Sequence, residues 1–186
     1  MALKRLTKKG YGQVELNNVA FRRDGRIEAQ CKLGNSFSEE APAENGMLLQ
    51  VKNKTRAIAR PNGNNDTKLI ALHYSAEHMY DERANGLKDF KLVPGTFFPR
   101  LGYLAVGDKF TTNTVCYDDT VWTDDAAVLA AVKNSTINGI PSADGYIKLT
   151  KAEAEIGAEA AILLEAVEAT TMPDGQPAVK FQVVRA

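Results

Sequence analysis

The residues best equipped for chemistry are few. His73 and His78 are the only histidines, five positions apart, with Asp81 and Glu82 close behind. A helical metal pair needs i, i+4 spacing to bring two imidazoles onto one ion. Here His73 falls in a strand-like run and His78 at a helix start, so structural histidines are the expectation. Cys31 and Cys116 lie 85 positions apart. That gives neither a disulfide framework nor a zinc spacing, and both read as small buried hydrophobes. Asp118, Asp119, Asp124 and Asp125 form the acidic run DDTVWTDD. It lacks the alternating acids and central glycine of a calcium loop, so helix capping and solvation account for it. No glycine-rich phosphate cradle and no G-x-S-x-G elbow is present. The 23 acidic residues always offer carboxylate pairs, but the single Trp122 reads as a packing or contact residue, not as a sugar platform. On its residues the chain reads as a non-enzyme with no cofactor and no metal.

The elements that would position these groups are mostly strands. Residues 14–33 flank Asp24-Gly25, a hairpin signal, and Ile27, Ala29, Cys31 and Leu33 alternate as one face of a strand. Residues 34–46 read as a loop, 47–51 and 56–60 as a second hairpin about 52–55, and 61–66 as an exposed tip. Residues 68–75 read as a strand and 76–90 as a helix weakened by Gly86. Runs 101–106 and 109–117 flank Gly107-Asp108, the signature of a II′ turn. Thr123 can cap a helix over 124–133, with acids at its start and Lys133 at its end. A short strand over 145–150 follows. Runs 162–170 and 178–184 make the last pair, with Val179, Phe181 and Val183 on one face and Lys180 and Gln182 on the other. About nine strands result, so the expected fold is mainly β: an antiparallel, hairpin-rich barrel or sandwich with one or two short helical insertions.

The 186 residues suffice for one good-sized domain or two small ones. With 44% hydrophobic and 25% charged residues, the composition excludes collagen-like and disordered classes. No run approaches the ~20 apolar residues of a membrane span. The basic N-terminus lacks the apolar region of a secretory signal, so a cytoplasmic start is expected. Residues 1–12 read as a basic arm, with Lys4, Arg5, Lys8 and Lys9 as candidate partner-binding cations and Gly10 and Gly12 as a hinge. Residues 13–186 form the β-rich body, with Pro94-Gly95 offering a division near 91–100. The 23 basic and 23 acidic residues balance overall, yet 1–60 carries 12 Lys/Arg against 6 Asp/Glu and the remainder 11 against 17. A basic front and an acidic back allow head-to-tail self-association, or seating of the basic end on an acidic partner. Four arm cations without interleaved aromatics make a poor nucleic-acid site.

Five stretches share a further likeness: GxVExNxVAFxxxGRIEAQ (12–30), AENGMLL (43–49), YDERANGLKDF (80–90), VGDKFTTNTVCYDD (106–119) and VEATTMPDGQPAVKFQVV (167–184). Together they resemble small virion proteins of tailed bacteriophages assigned to capsid decoration or head fibres. The resemblance is one of texture and order across most of the chain, and it contains no catalytic or binding signature. It implies a structural protein on the outside of the capsid lattice, with the major capsid protein as partner and self-association on the shell. It also implies a virion location, with no nucleic-acid or membrane partner. A head-tail connector, a tail or fibre component, or a soluble binding module outside the virion are the alternative readings.

Overall fold

The computed structural model describes residues 3–7, 9–62, 69–75, 86–151, 156 and 160–186. The strands are β1 Leu3–Arg5, β2 Val14–Asn18, β3 Ile27–Glu28, β4 Lys32–Leu33, β5 Leu48–Lys52, β6 Ala57–Ala59 and β7 Ile70–His73. They continue with β8 Leu101–Gly102, β9 Lys109–Thr112, β10 Val115–Asp118, β11 Asn138–Pro141, β12 Ile147–Thr150, β13 Leu163–Thr171 and β14 Pro177–Arg185. The helices are α1 Ala20–Asp24 and α2 Asp125–Asn134. An eight-stranded sheet runs β1-β10-β12-β11-β13-β14-β9-β2, and a six-stranded one runs β3-β8-β7-β5-β6-β4. Pairing is antiparallel except at β10–β12 and β4–β6. Neither sheet closes on itself among the described residues, so of the two expected β architectures the sandwich-like one is found.

Alternation explains how the layers meet. Leu48 and Leu72, paired across β5 and β7, point into the main core beside Tyr117, Leu164, Phe181 and Val183 of the larger sheet. Their neighbours Leu49 and Ala71 point the other way, into a second core roofed by Phe37, Ala43, Phe90 and Leu92 from loops. The smaller sheet is therefore buried on both faces. The terminal pair forms as the sequence indicates: Val179, Phe181 and Val183 are fully buried on β14, with Lys180 and Gln182 on the half-buried opposite side. A bulge between Ala166 and Glu168 on β13 turns Val167 outward.

Several expectations give way to other uses of the same residues. Asp24-Gly25 makes no hairpin, because Gly25 at φ 69° caps the C-terminus of α1 and its N–H donates to the Phe21 carbonyl. That helix exists to bury Phe21 against Tyr74, ring centroids 5.0 Å apart. The strand expected through 26–33 is broken into β3 and β4, and Ile27 is exposed. Gly107 at φ 93° joins no hairpin either, since β8 belongs to the smaller sheet and β9 to the larger. The cap of α2 is Asp124 and not Thr123, its Oδ1 accepting the Ala127 N–H at 2.8 Å. The helix expected over 76–90 lies mostly outside the described residues, and Leu87–Asp89 is a 3-10 turn. The tip expected at 61–66 is also largely outside them.

The basic arm needs the largest correction. Leu3–Arg5 is an edge strand of the larger sheet, paired with β10, and Leu6 is fully buried. Gly10 and Gly12 permit close passage and do not act as a hinge. A Cβ on Gly10 would collide with the Lys88 carbonyl, and one on Gly12 with the Thr114 hydroxyl.

Candidate functional site

Two places concentrate polar or exposed groups. The first is a buried hub about Glu44, whose side chain is 3% exposed. Its Oε2 accepts from Arg5 Nη2 at 2.6 Å and from the Gly12 N–H at 2.6 Å, while Oε1 accepts from the Tyr146 hydroxyl. The Arg5 guanidinium also lies 4.4 Å from the centroid of the Tyr146 ring. Burial, reinforced by the Glu44 carboxylate, pushes the Tyr146 phenol well above its ordinary range. This arrangement joins β1, the loop before β5 and the start of β12. Its donors and acceptors are matched to one another, which makes it a clamp within the fold.

His73 sits beside that clamp and is fully buried. Its Nδ1 lies 2.8 Å from the Glu44 backbone carbonyl, which can only accept, so Nδ1 carries the proton. Nε2 then accepts from the Ser75 hydroxyl at 2.8 Å, and Ser75 in turn accepts from the Arg100 N–H at 2.7 Å. Burial lowers the imidazole to about 4. Both ring nitrogens are thus engaged in holding β7 to its neighbours. His78, Asp81 and Glu82 lie outside the described residues. No group of three or more potential metal ligands occurs among the described residues.

The other candidates are likewise engaged locally. Asp118 accepts from the Thr120 N–H and hydroxyl, which hold its carboxyl below the usual range. Asp125 accepts from the Tyr117 hydroxyl at 2.6 Å. Burial raises the Cys31 thiol and pushes Cys116 up to about 12, so both are protonated at neutral pH. Trp122 packs in the main core. Of the four arm cations, Lys4 donates to the Thr123 carbonyl at 3.0 Å and Arg5 serves the clamp. The backbone of Lys9 exchanges hydrogen bonds with the Gln176 side chain. Lys8 lies outside the described residues. The three described cations thus meet three different partners: the Thr123 carbonyl, the Glu44 carboxylate and, through the Lys9 backbone, the Gln176 side chain.

The second place is on the surface, along the edge strand β4. A hollow of about 530 Å³ is lined by Ala29, Gln30, Lys32, Thr55, Arg56 and Phe98. A second, of about 300 Å³, adjoins it and shares Lys32 and Phe98, with Phe97 on its wall. Phe97 is 68% and Phe98 49% exposed, unusual for the largest apolar side chains. Among the described residues no acid lines either hollow; Glu28 has its carboxylate held by the Gln30 and Cys31 N–H groups. Arg56, at φ 49°, is the only left-handed residue other than glycine among those described, and it closes the 3-10 turn Asn53–Thr55.

Sequence reasoning missed both places. Glu44 could not be found, since its partners come from positions 5, 12 and 146. The Phe97-Phe98 pair could have been. Two adjacent aromatics between Gly95 and Pro99, in an irregular segment, cannot both turn into one core. In sequence and in fold, the chain matches no protein family model, no curated protein and no solved structure.

Proposed function

We propose that this chain is a structural virion protein of a tailed bacteriophage that binds the outside of the capsid lattice and stabilises it by contact. The observation that carries the reading is a contrast between interior and surface. The reactive-looking groups, Glu44, His73 and the two thiols, are committed to the interior, whereas Phe97, Phe98, Val106 and Val121 are left at the surface. Such a surface works through area and shape, not through bond making. The rigid double-layer body and the resemblance of 12–30, 106–119 and 167–184 to decoration and head-fibre proteins support the same reading.

A protein that binds the assembled lattice and not free subunits shifts disassembly by RT ln(1 + [L]/Kd) per site. Particles lacking this chain should therefore release DNA at a lower temperature than particles carrying it. Quantitative mass spectrometry of purified particles should find hundreds of copies. A handful of copies would make it a connector or fibre component, and absence from particles would place it outside the virion altogether. Equal release temperatures with and without the chain would remove the stabilising role.

A further inference from the structure

The cleft beside β4 combines two exposed aromatic rings, two cations and, among the described residues, no acid. Its natural occupant carries a small apolar knob flanked by carboxylates. This chain displays such a feature on its other sheet, in the turn that follows β10. Val121 is 56% exposed there, held outward because its N–H and that of Trp122 both donate to the Asp118 carbonyl while the Trp122 ring is buried. Asp119 and Asp124 flank it at half-exposed and exposed positions. One oxygen of Asp124 caps α2, which ties the exposed carboxylate to the helix start.

We propose that the Phe97/Phe98 cleft of one copy seats the acidic turn of a second copy. Val121 packs against Phe98, and Asp119 and Asp124 face Lys32 and Arg56. Charge complementarity between two surfaces of the same chain favours this occupant, with Lys4 on the Thr123 carbonyl offsetting part of the turn's negative charge. The excess of bases in residues 1–60 and of acids beyond them follows the same polarity. The cleft belongs to the smaller sheet and the turn to the larger one, so the contact joins unlike surfaces, and it is heterologous unless a two-fold axis pairs both contacts reciprocally in a closed dimer. Without such an axis, it leaves a cleft open at one end and a turn at the other and propagates into rings or rows. The inference does not depend on the virion reading.

The test is sedimentation equilibrium of the full chain from about 10 µM to 1 mM, at about 50 mM and 500 mM salt. The expected result is a concentration-dependent series of oligomers, weakened by salt. Phe98→Ser and Val121→Ser should each weaken association about tenfold, since each removes the apolar centre of the contact. Both side chains are largely exposed, and unchanged circular dichroism would verify the fold. Lys32→Glu and Asp119→Lys should each weaken it several-fold, and mixing these two variants should restore association between them. A chain that stays monomeric throughout overturns the proposal. So does association indifferent to Phe98→Ser, or a mixture that recovers nothing. Binding of an acidic peptide in the cleft of a monomeric chain would assign the cleft to another protein. Particle occupancy, measured separately, tells failure of this contact from failure of the virion role: a monomer that still decorates shells loses only the former.

Discussion

At the scale of single residues, Glu44 and His73 carry the sharpest expectations. Glu44→Ala strips three donors of their acceptor at once, the Arg5 guanidinium, the Gly12 N–H and the Tyr146 hydroxyl. A buried donor left without its acceptor costs about 1–3 kcal/mol, whereas the Arg5 guanidinium, 38% exposed, can turn to water. Urea denaturation should show a loss of that size, and a loss below about 1 kcal/mol would mean that water reaches the site. Arg5→Ala leaves the buried Glu44 carboxylate without its counter-charge, held only by the Gly12 N–H and the Tyr146 hydroxyl, and should also destabilise. His73 makes stability depend on pH. Its folded value of about 4 lies below the ~6.5 of an exposed imidazole. Below about pH 6.5 the unfolded chain takes up a proton that the folded chain refuses. Stability present at neutral pH is therefore lost as pH falls from about 6.5 to about 4, by about 3 kcal/mol in all. Urea midpoints at pH 7 and 4.5 measure the slope, and His73→Gln should flatten it. An unchanged slope would assign the titration to another group.

At the scale of elements, close approach between strands and helix decides tolerance. Gly102 on β8 lies under the Phe21 ring, with which any Cβ there would collide. At Gly139 on β11, a Cβ would come within 2.8 Å of Ile147 and 2.9 Å of Phe181. Gly102→Ala and Gly139→Ala should each destabilise by about 1–3 kcal/mol, the usual cost of overpacking, and thermal melts would register it. Phe181→Ala should cost about 3–5 kcal/mol through the cavity it leaves, and Lys180→Ala little. Equal losses at 180 and 181 would contradict the phase of β14. That strand was legible because the alternation over 179–183 admits one phase only. The pair across 47–60 was legible from the polar turn at 52–55 between two apolar runs and not from alternation, since β5 is buried on both faces. The Gly25 and Gly107 signals were ambiguous, since a left-handed glycine ends a helix or turns a loop as readily as it closes a hairpin. Strand β1 was illegible because Lys4 and Arg5 hide its pairing, which depends on β10 more than a hundred positions away. The surface cleft was half legible through Phe97-Phe98. Lys32 and Arg56 join it only once β4 and the 3-10 turn Asn53–Thr55 are in place.

At the scale of the whole molecule, the larger sheet takes its strands from residues 3–18 and 109–185, and the smaller one from 27–102. The main core draws on both, as Leu6, Leu48, Leu72 and Phe181 show. Removing residues 1–6 should therefore destabilise the body and not simply release a tail. It deletes β1, the buried Leu6 and the Arg5 side of the clamp. A drop in melting temperature of several degrees is expected, given ~4 °C or less per kcal/mol at this size. An unchanged melting temperature would mean that β1 adds nothing to the folded state. A decoration defect in that truncated chain would need a comparison at matched stability before it could be ascribed to lost contacts.

The division of the larger sheet between the two ends of the chain also sets a clock. Val14 pairs with Thr112 and Leu3 with Asp118, so β1 and β2, once out of a ribosome, wait for roughly a hundred more residues. At about 5–20 residues per second that wait lasts about 5–20 s. The strands over 27–102 can zip up meanwhile, leaving β2 and the apolar Leu6 as nascent chain without their partners. Slowing elongation between residues 20 and 110 should lengthen that exposure and raise the share of chains captured by chaperones or lost to aggregation. Slowing it after 112 should affect the yield far less.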